Sequence, residues 1–431
     1  NKLINKDKNG LPFFTLIFYS TVHRAQVNCC IIKGFKMIKI FITNLTLIIG
    51  LLPALAQATN ITELNPIESL KIESKYFKEP IEYNITLPKS YNEANSKDKK
   101  YFVIFDLHPR SQPYLSGLHD WLSHNGEWPW LETIVVTPAD YNPEFAKVFE
   151  QIVSDPTKQT MLDFFEFDLL TKLDKTYRTN GFRIYSGFMG NGALGLFALL
   201  NRPNLFNAYI ISSPSLANDF GAISSDANKK LAQLDDKMRF LYLATGNHQY
   251  EQGNLPAFEL FEKALTTSSP KSLDWQVHRN KQNNYMSQPI VSTLNGIEAL
   301  FADIHTNLAA ESEISQNGAQ AIIDYYAMVS EKKYGFDISA EGSLKALAKS
   351  LMKKDPKKAL SVYQKTIELY PESAYALSSL AKAYAELGDI NKAIKYQTQA
   401  VEKSKSMIEW HQNKHKQYLD EFRAQLNDLG E

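Results

Sequence analysis

The residues whose types and spacing suggest chemistry gather at positions 185–203, YSGFMGNGALGLFALLNRP. A short apolar run meets a turn bracketed by Gly187, Gly190 and Gly192, and an apolar helix follows. A strand–turn–helix of this outline presents a nucleophile at its tip. The backbone N–H of the next residue, here Gly190, faces the developing oxyanion. The tip here is Met189, and a thioether cannot attack an ester carbonyl and turn over. Ser186 comes three residues earlier, at the end of the strand and ahead of the turn. It reads as a buried strand-end hydroxyl.

Hydrolysis also needs a base and an acid. The nine histidines are scattered, with no H-E-x-x-H or similar spacing, so neither a metal site nor a cofactor is expected. His411 and His415 stand at i, i+4 on the last helix, a spacing able to hold a metal. An exposed, solvated helix face is the simpler reading. In NHQYEQGN (247–254), Glu251 is the only carboxylate and His248 is able to approach a pocket. No Ser–His–acid set at elbow spacing can be assembled from Ser186, Ser287 and these residues.

The elements that must position these residues are legible from periodicity. LKIESKY (70–76) and IEYNITL (81–87) alternate with period two around Pro80 and predict a hairpin. Continuous apolar runs suit buried parallel strands: YFVIFDL (101–107), TIVVTP (133–138), FRIYS (182–186), AYIIS (208–212), RFLYLA (239–244) and LDWQV (273–277). Helical patterns lie between several of them, at 161–177, 193–201 and 256–267. Alternating strands and helices predict a mostly parallel α/β sheet, covered on both faces, with the hairpin at one edge. HDWLSHNGEWPWLE (119–132) contributes Trp121, Trp128 and Trp130. It is placed at the pocket mouth, as a packed lid or as an aromatic wall for a ring-bearing ligand.

Beyond about residue 310 strands stop and helices continue to the end. LKALAKSLMKKDPKKALSVYQKTIELYP (344–371) aligns with LSSLAKAYAELGDINKAIKYQTQAVEKS (377–404), Ala348 with Ala381 and Ala359 with Ala393. This resembles the tetratricopeptide repeat. Two repeats are few for an independent array, so they are expected to pack on the helix at 319–335, with the last helix as a cap. A protein partner in the groove of residues 344–404 is one expectation.

From Met37 the chain reads MIKIFITNLTLIIGLLPALAQA, a lysine before an apolar run that ends in A-x-A. Residues 37–58 therefore predict a secretory signal peptide, leaving no stable membrane span after cleavage. Residues 1–36 stand ahead of it and are set aside as an over-extended segment. Cys29 and Cys30 lie there, so the mature chain has no thiol. An exported protein without disulfides fits a bacterial periplasm. Formal net charge is zero, which gives no reason to expect nucleic acid.

Most of residues 65–305 resemble the putative-esterase group of α/β-hydrolases, which includes esterase D-like enzymes and siderophore esterases. The resemblance is carried by KKYFVIFDLH (99–108), by LNRPNLFNAYIISSPSL (200–216) after the elbow, and by YMSQPIVSTLNGIEALF (285–301). It implies an α/β-hydrolase fold over 59–310, with the helical segment 311–431 as an extension. It implies a serine where Met189 stands, a glycine at Asn191, a histidine at Tyr285, and an acid near Glu251. A glycine is expected where His108 stands. A phenol of pKa about 10 is a poor base near neutrality. Leu107, His108, Phe188, Gly190 and His248 are the expected pocket residues. The first expectation is a non-catalytic homologue that binds a small molecule or a partner. An active carboxylic-ester hydrolase with a non-standard catalytic set is the second, and a repeat-mediated docking module on a hydrolase platform is the third.

Overall fold

The computed structural model describes residues 67–124 and 129–428. The signal peptide, the segment before it, both cysteines and Trp128 lie outside the described residues.

Eight strands form one sheet in the order β1-β2-β4-β3-β5-β6-β7-β8. They are β1 (Ile67–Ile72), β2 (Ile81–Thr86), β3 (Tyr101–Asp106), β4 (Thr133–Pro138), β5 (Thr179–Phe188), β6 (Ala208–Ser212), β7 (Arg239–Thr245) and β8 (Leu273–Arg279). The hairpin β1–β2 is antiparallel, β2 pairs antiparallel with β4, and β3 to β8 run parallel. The expected strands are all present. β1 is shifted toward the N-terminus, and Tyr76 falls in the turn rather than the strand.

Period-two alternation sends neighbouring side chains to opposite faces of the sheet. Val103, Phe105, Tyr185, Tyr209 and Leu241 feed one core, and Phe102, Ile104, Phe182, Ile210 and Tyr242 feed the other. Three helices matter for the site: α1 (Ser111–Ser123), α2 (Gly190–Asn201) and α3 (Gln288–Leu300). α2 fills the first core, its residues 192–200 all buried. α1 and α3 cover the second through Leu115, Leu122, Ile297 and Leu300.

The second core does not stop at the sheet. It continues through α4 (Ala319–Met328), α5 (Glu341–Leu351), α6 (Pro356–Leu369), α7 (Ala374–Glu386), α8 (Ile390–Lys403) and α9 (Glu409–Asp428). Phe102 meets Phe182, Phe301 and Phe336 at 5.2, 5.3 and 5.1 Å, edge-on contacts that add to area burial. Lys333 Nζ lies 2.5 Å from Asp303 and 3.7 Å from Asp274. Tyr325 and Tyr334 also donate to Asp303. Burial alone would raise the Asp303 carboxyl, but the Lys333 ammonium and these hydroxyls outweigh it and hold it below the usual carboxylate range. The helical tail is thus fastened to the sheet by apolar packing and by a half-buried ion cluster.

Within the tail, Ala348, Ala359, Ala381 and Ala393 are fully buried, which lets paired helices approach closely. One expectation is corrected here. His415 is buried, at 3 % exposure, and does not lie on a solvated face. It shares the inward stripe of α9 with Leu419 and Phe422.

Candidate functional site at the strand C-terminal edge

The turn between β5 and α2 is fixed by close approach. A Cβ on Gly187 would sit 2.6 Å from the Asn191 carbonyl oxygen. One on Gly195 would sit 2.6 Å from both Tyr185 and Ile211. At the tip Met189 is held at φ 54, ψ −121, a region costly for a residue with a side chain. Its backbone is tied on both sides, the N–H donating to Ser212 O and the carbonyl accepting from Ala193 and Ser215. The N–H groups of the first helical turn, beginning with Gly190, have no intrahelical acceptor. Asn191 occupies the expected glycine position, and its carbonyl accepts from Tyr185 OH at 2.8 Å.

Three chain segments converge at this edge. After β7 comes a short helix, His248–Glu251. After β8 comes the turn Tyr285–Ser287, capped by Asn284, which accepts from Met286 N at 2.9 Å. The Tyr285 ring lies 5.0 Å from Phe188 and 5.9 Å from Tyr250, stacked on the latter. Burial raises the Tyr285 phenol above its ordinary value, and the nearby Glu251 charge pushes the same way. It stays neutral and is a donor at physiological pH, not a base.

Glu251 is buried, at 2 % exposure. Its carboxylate accepts from Gly246 N at 2.9 and 3.0 Å and from the Ser213 hydroxyl. Its oxygens are thus occupied by the N–H of Gly246, just after β7, and by the hydroxyl of Ser213, just after β6. His248 has its backbone in the short helix.

On the β3 side, Leu107 is buried and His108 is exposed. The His108 N–H donates to Asp106 Oδ1 at 2.9 Å. Asp106 is the polar residue that motif reasoning passed over. It is buried at the end of an otherwise apolar strand, receives Ser186 Oγ at 3.0 Å, and lies 3.4 Å from Tyr114 OH. Its burial raises the carboxyl despite these donors. Ser186 is therefore a buried hydroxyl committed to Asp106, as its strand-end position suggested. The signal for Asp106 was a lone carboxylate closing an apolar run. The signal for Tyr250 was an aromatic beside the presumed acid.

The tip is an open surface. Met189 is 42 % exposed, Tyr250 66 % and Met286 68 %. A concavity of about 790 Å³, lined by Lys99, His119, Trp130 and Glu132 among others, lies at the opposite end of the sheet. This overturns the expected placement at the site of His119–His124 and of residues 129–132, the described parts of that stretch. Trp130 is buried, its indole N–H donating to Thr133 at 3.1 Å and its ring edge-on to His119. His119 Nε2 accepts from Thr133 N at 2.8 Å, and burial lowers its pKa to about 4. Among the described residues no group of three His, Cys, Asp or Glu is placed to hold a metal, and no helix is long and apolar enough to cross a membrane.

Strand order, the reversed β2 and the sharp β5–α2 turn define an α/β-hydrolase fold, extended by a C-terminal helical region. An IroE-like serine hydrolase from Shewanella oneidensis is 21 % identical, with a TM-score of 0.51 over 71 % of this chain and 100 % of its own. An uncharacterised protein from Capnocytophaga ochracea DSM 7271 is 17 % identical, with a TM-score of 0.59 over 83 % of this chain and 100 % of its own. At such identities the likeness fixes the fold and not the activity. Residues 362–395 match the tetratricopeptide repeat. No curated protein matches the chain.

Proposed function

We propose that the chain is an exported, esterase-like protein that does not hydrolyse esters and binds a ligand across the elbow edge of its sheet. One observation carries this reading. The strained tip presents Met189, and at the position the resemblance gives to the base stands a neutral phenol, Tyr285, stacked on Tyr250 and tilted against Phe188. Without nucleophile and base, positioning and oxyanion donors leave at best about 10³–10⁴ over water. The acid position supports the same conclusion, since Gly246 and Ser213 already occupy Glu251. An exposed thioether and stacked rings suit an apolar or ring-bearing small molecule. The unpaired N–H groups at the start of α2 suit an electronegative group on it.

The division that goes with this function is a signal peptide at 37–58, an esterase-like domain over 59–310 and a helical extension over 311–431, working in the periplasm. The test is conversion. Met189→Ser combined with Tyr285→His is assayed on p-nitrophenyl esters beside the unchanged chain. The reading expects background turnover from the unchanged chain and a gain only in the double variant. Turnover by the unchanged chain that survives Met189→Ala demands a different nucleophile and rejects the reading.

A further inference from the structure

Sulfur is unevenly placed in this chain. Of its eight methionines, Met37 lies outside the described residues. Met161 and Met352 are buried, and Met238, Met328 and Met407 are half-buried. Among the described residues only Met189 and Met286 are exposed, and both stand at the elbow edge. The described residues hold no cysteine, so no thiol there competes with these thioethers for an oxidant.

Met189 also has a donor within reach of its own side chain. Its backbone N–H is spent on Ser212 O. The Gly190 N–H opens α2 and has no intrahelical acceptor. A serine at this tip would bring an acyl oxygen to that N–H through the bonds Cβ–Oγ–C–O. Methionine sulfoxide carries its oxygen through an equal run, Cβ–Cγ–Sδ–O. A thioether sulfur is a weak acceptor, whereas the sulfoxide oxygen is polar. The helix start alone selects nothing. The exposed sulfur on the residue before it selects an oxygen atom.

We infer that Met189 is a modification site, which takes one oxygen atom from a hydroperoxide and holds the sulfoxide oxygen against the Gly190 N–H. A lone pair on Sδ attacks the terminal oxygen of the peroxide, and the S–O bond forms as the O–O bond breaks. The leaving oxygen keeps the electron pair of the broken bond, picks up the proton of the transferred hydroxyl, and departs as water or an alcohol. Sulfur is oxidised and the peroxide is reduced. Charge that builds on the transferred oxygen meets the N–H in the transition state. The product places a polar, chiral group where an apolar tip stood. This modification is independent of what the elbow binds, because it is read on the chain itself.

The test treats the full chain with hydrogen peroxide, then digests it and follows each methionine by mass spectrometry. The two sulfoxide epimers are told apart by reductases that each accept one of them. Met286 is the internal reference, since it is the more exposed, at 68 % against 42 % for Met189. The folded chain is expected to oxidise Met189 at least as fast as Met286. One Met189 epimer should be in excess by about fivefold, while Met286 gives both. In chain unfolded by urea the two methionines should react alike and without epimer preference. A Met189 that trails Met286 in the folded chain, or that yields its epimers equally there, overturns the inference. So does an epimer excess that persists in urea, since it would then belong to the local sequence and not to the elbow.

Discussion

The two ends of the sheet treat polar and aromatic groups in opposite ways. At the start of the parallel strands, Trp130 and His119 are closed in, each bonded to Thr133. At the strand ends, Met189, Tyr250 and Met286 are exposed, and the backbone of Met189 is held at positive φ. Strain at an exposed tip is what the proposed binding role at the second end rests on. The difference also teaches where substitution is tolerated. The elbow's frame is set by glycines and by backbone bonds, so its tip side chain can change chemistry while the turn persists.

The largest effect should come from the frame. Gly187→Ala places a methyl against the Asn191 carbonyl, and backbone has little room to yield. A loss of more than about 3 kcal/mol is expected in urea unfolding. A loss below about 1 kcal/mol would mean the elbow is looser than its geometry implies. The opposite end predicts a pH effect. His119 is buried and neutral, with a pKa of about 4, so the unfolded chain takes up its proton first as pH falls. Stability tied to His119 is complete above pH ~6.5 and declines between there and about 4, by roughly 3 kcal/mol. His119→Gln should flatten that slope, and an unchanged slope would place the titration elsewhere. The smallest effect belongs to the tip. Met189→Gly removes a side chain at a strained backbone position that is 42 % exposed, and should stabilise by about 1 kcal/mol in thermal unfolding. Destabilisation would show that Met189 packs more than its exposure suggests.

Much of this contrast was legible in the sequence, for physical reasons. Apolar runs such as YFVIFDL must be buried on both faces, and the glycines of SGFMGNG have few uses apart from a tight strand-to-helix turn. The elbow followed from these, whereas the roles expected at Tyr285 and Glu251 rested on the family resemblance alone. The placement of 119–132 did not follow, although connectivity contained the answer. Residues that directly precede a parallel strand lie at its starting end, so a loop feeding β4 cannot reach the elbow. His415 was misplaced by its i, i+4 relation to His411. The same periodicity carried further to Leu419 and Phe422 puts it inward. The bonds that occupy Glu251 were out of reach, because they come from the Gly246 N–H after β7 and from the hydroxyl of Ser213, at positive φ after β6, which only folding brings together. The shared core of sheet and tail was hidden likewise, since a change from strands to helices along the chain says nothing of what lies between them.

The central claim is that the elbow end binds and does not hydrolyse. Steady-state turnover of p-nitrophenyl butyrate by the unchanged chain, beside Met189→Ala, tests it most directly. The account predicts that both proteins stay at the buffer rate, with no burst of p-nitrophenol. A burst followed by sustained turnover in the unchanged chain would contradict it.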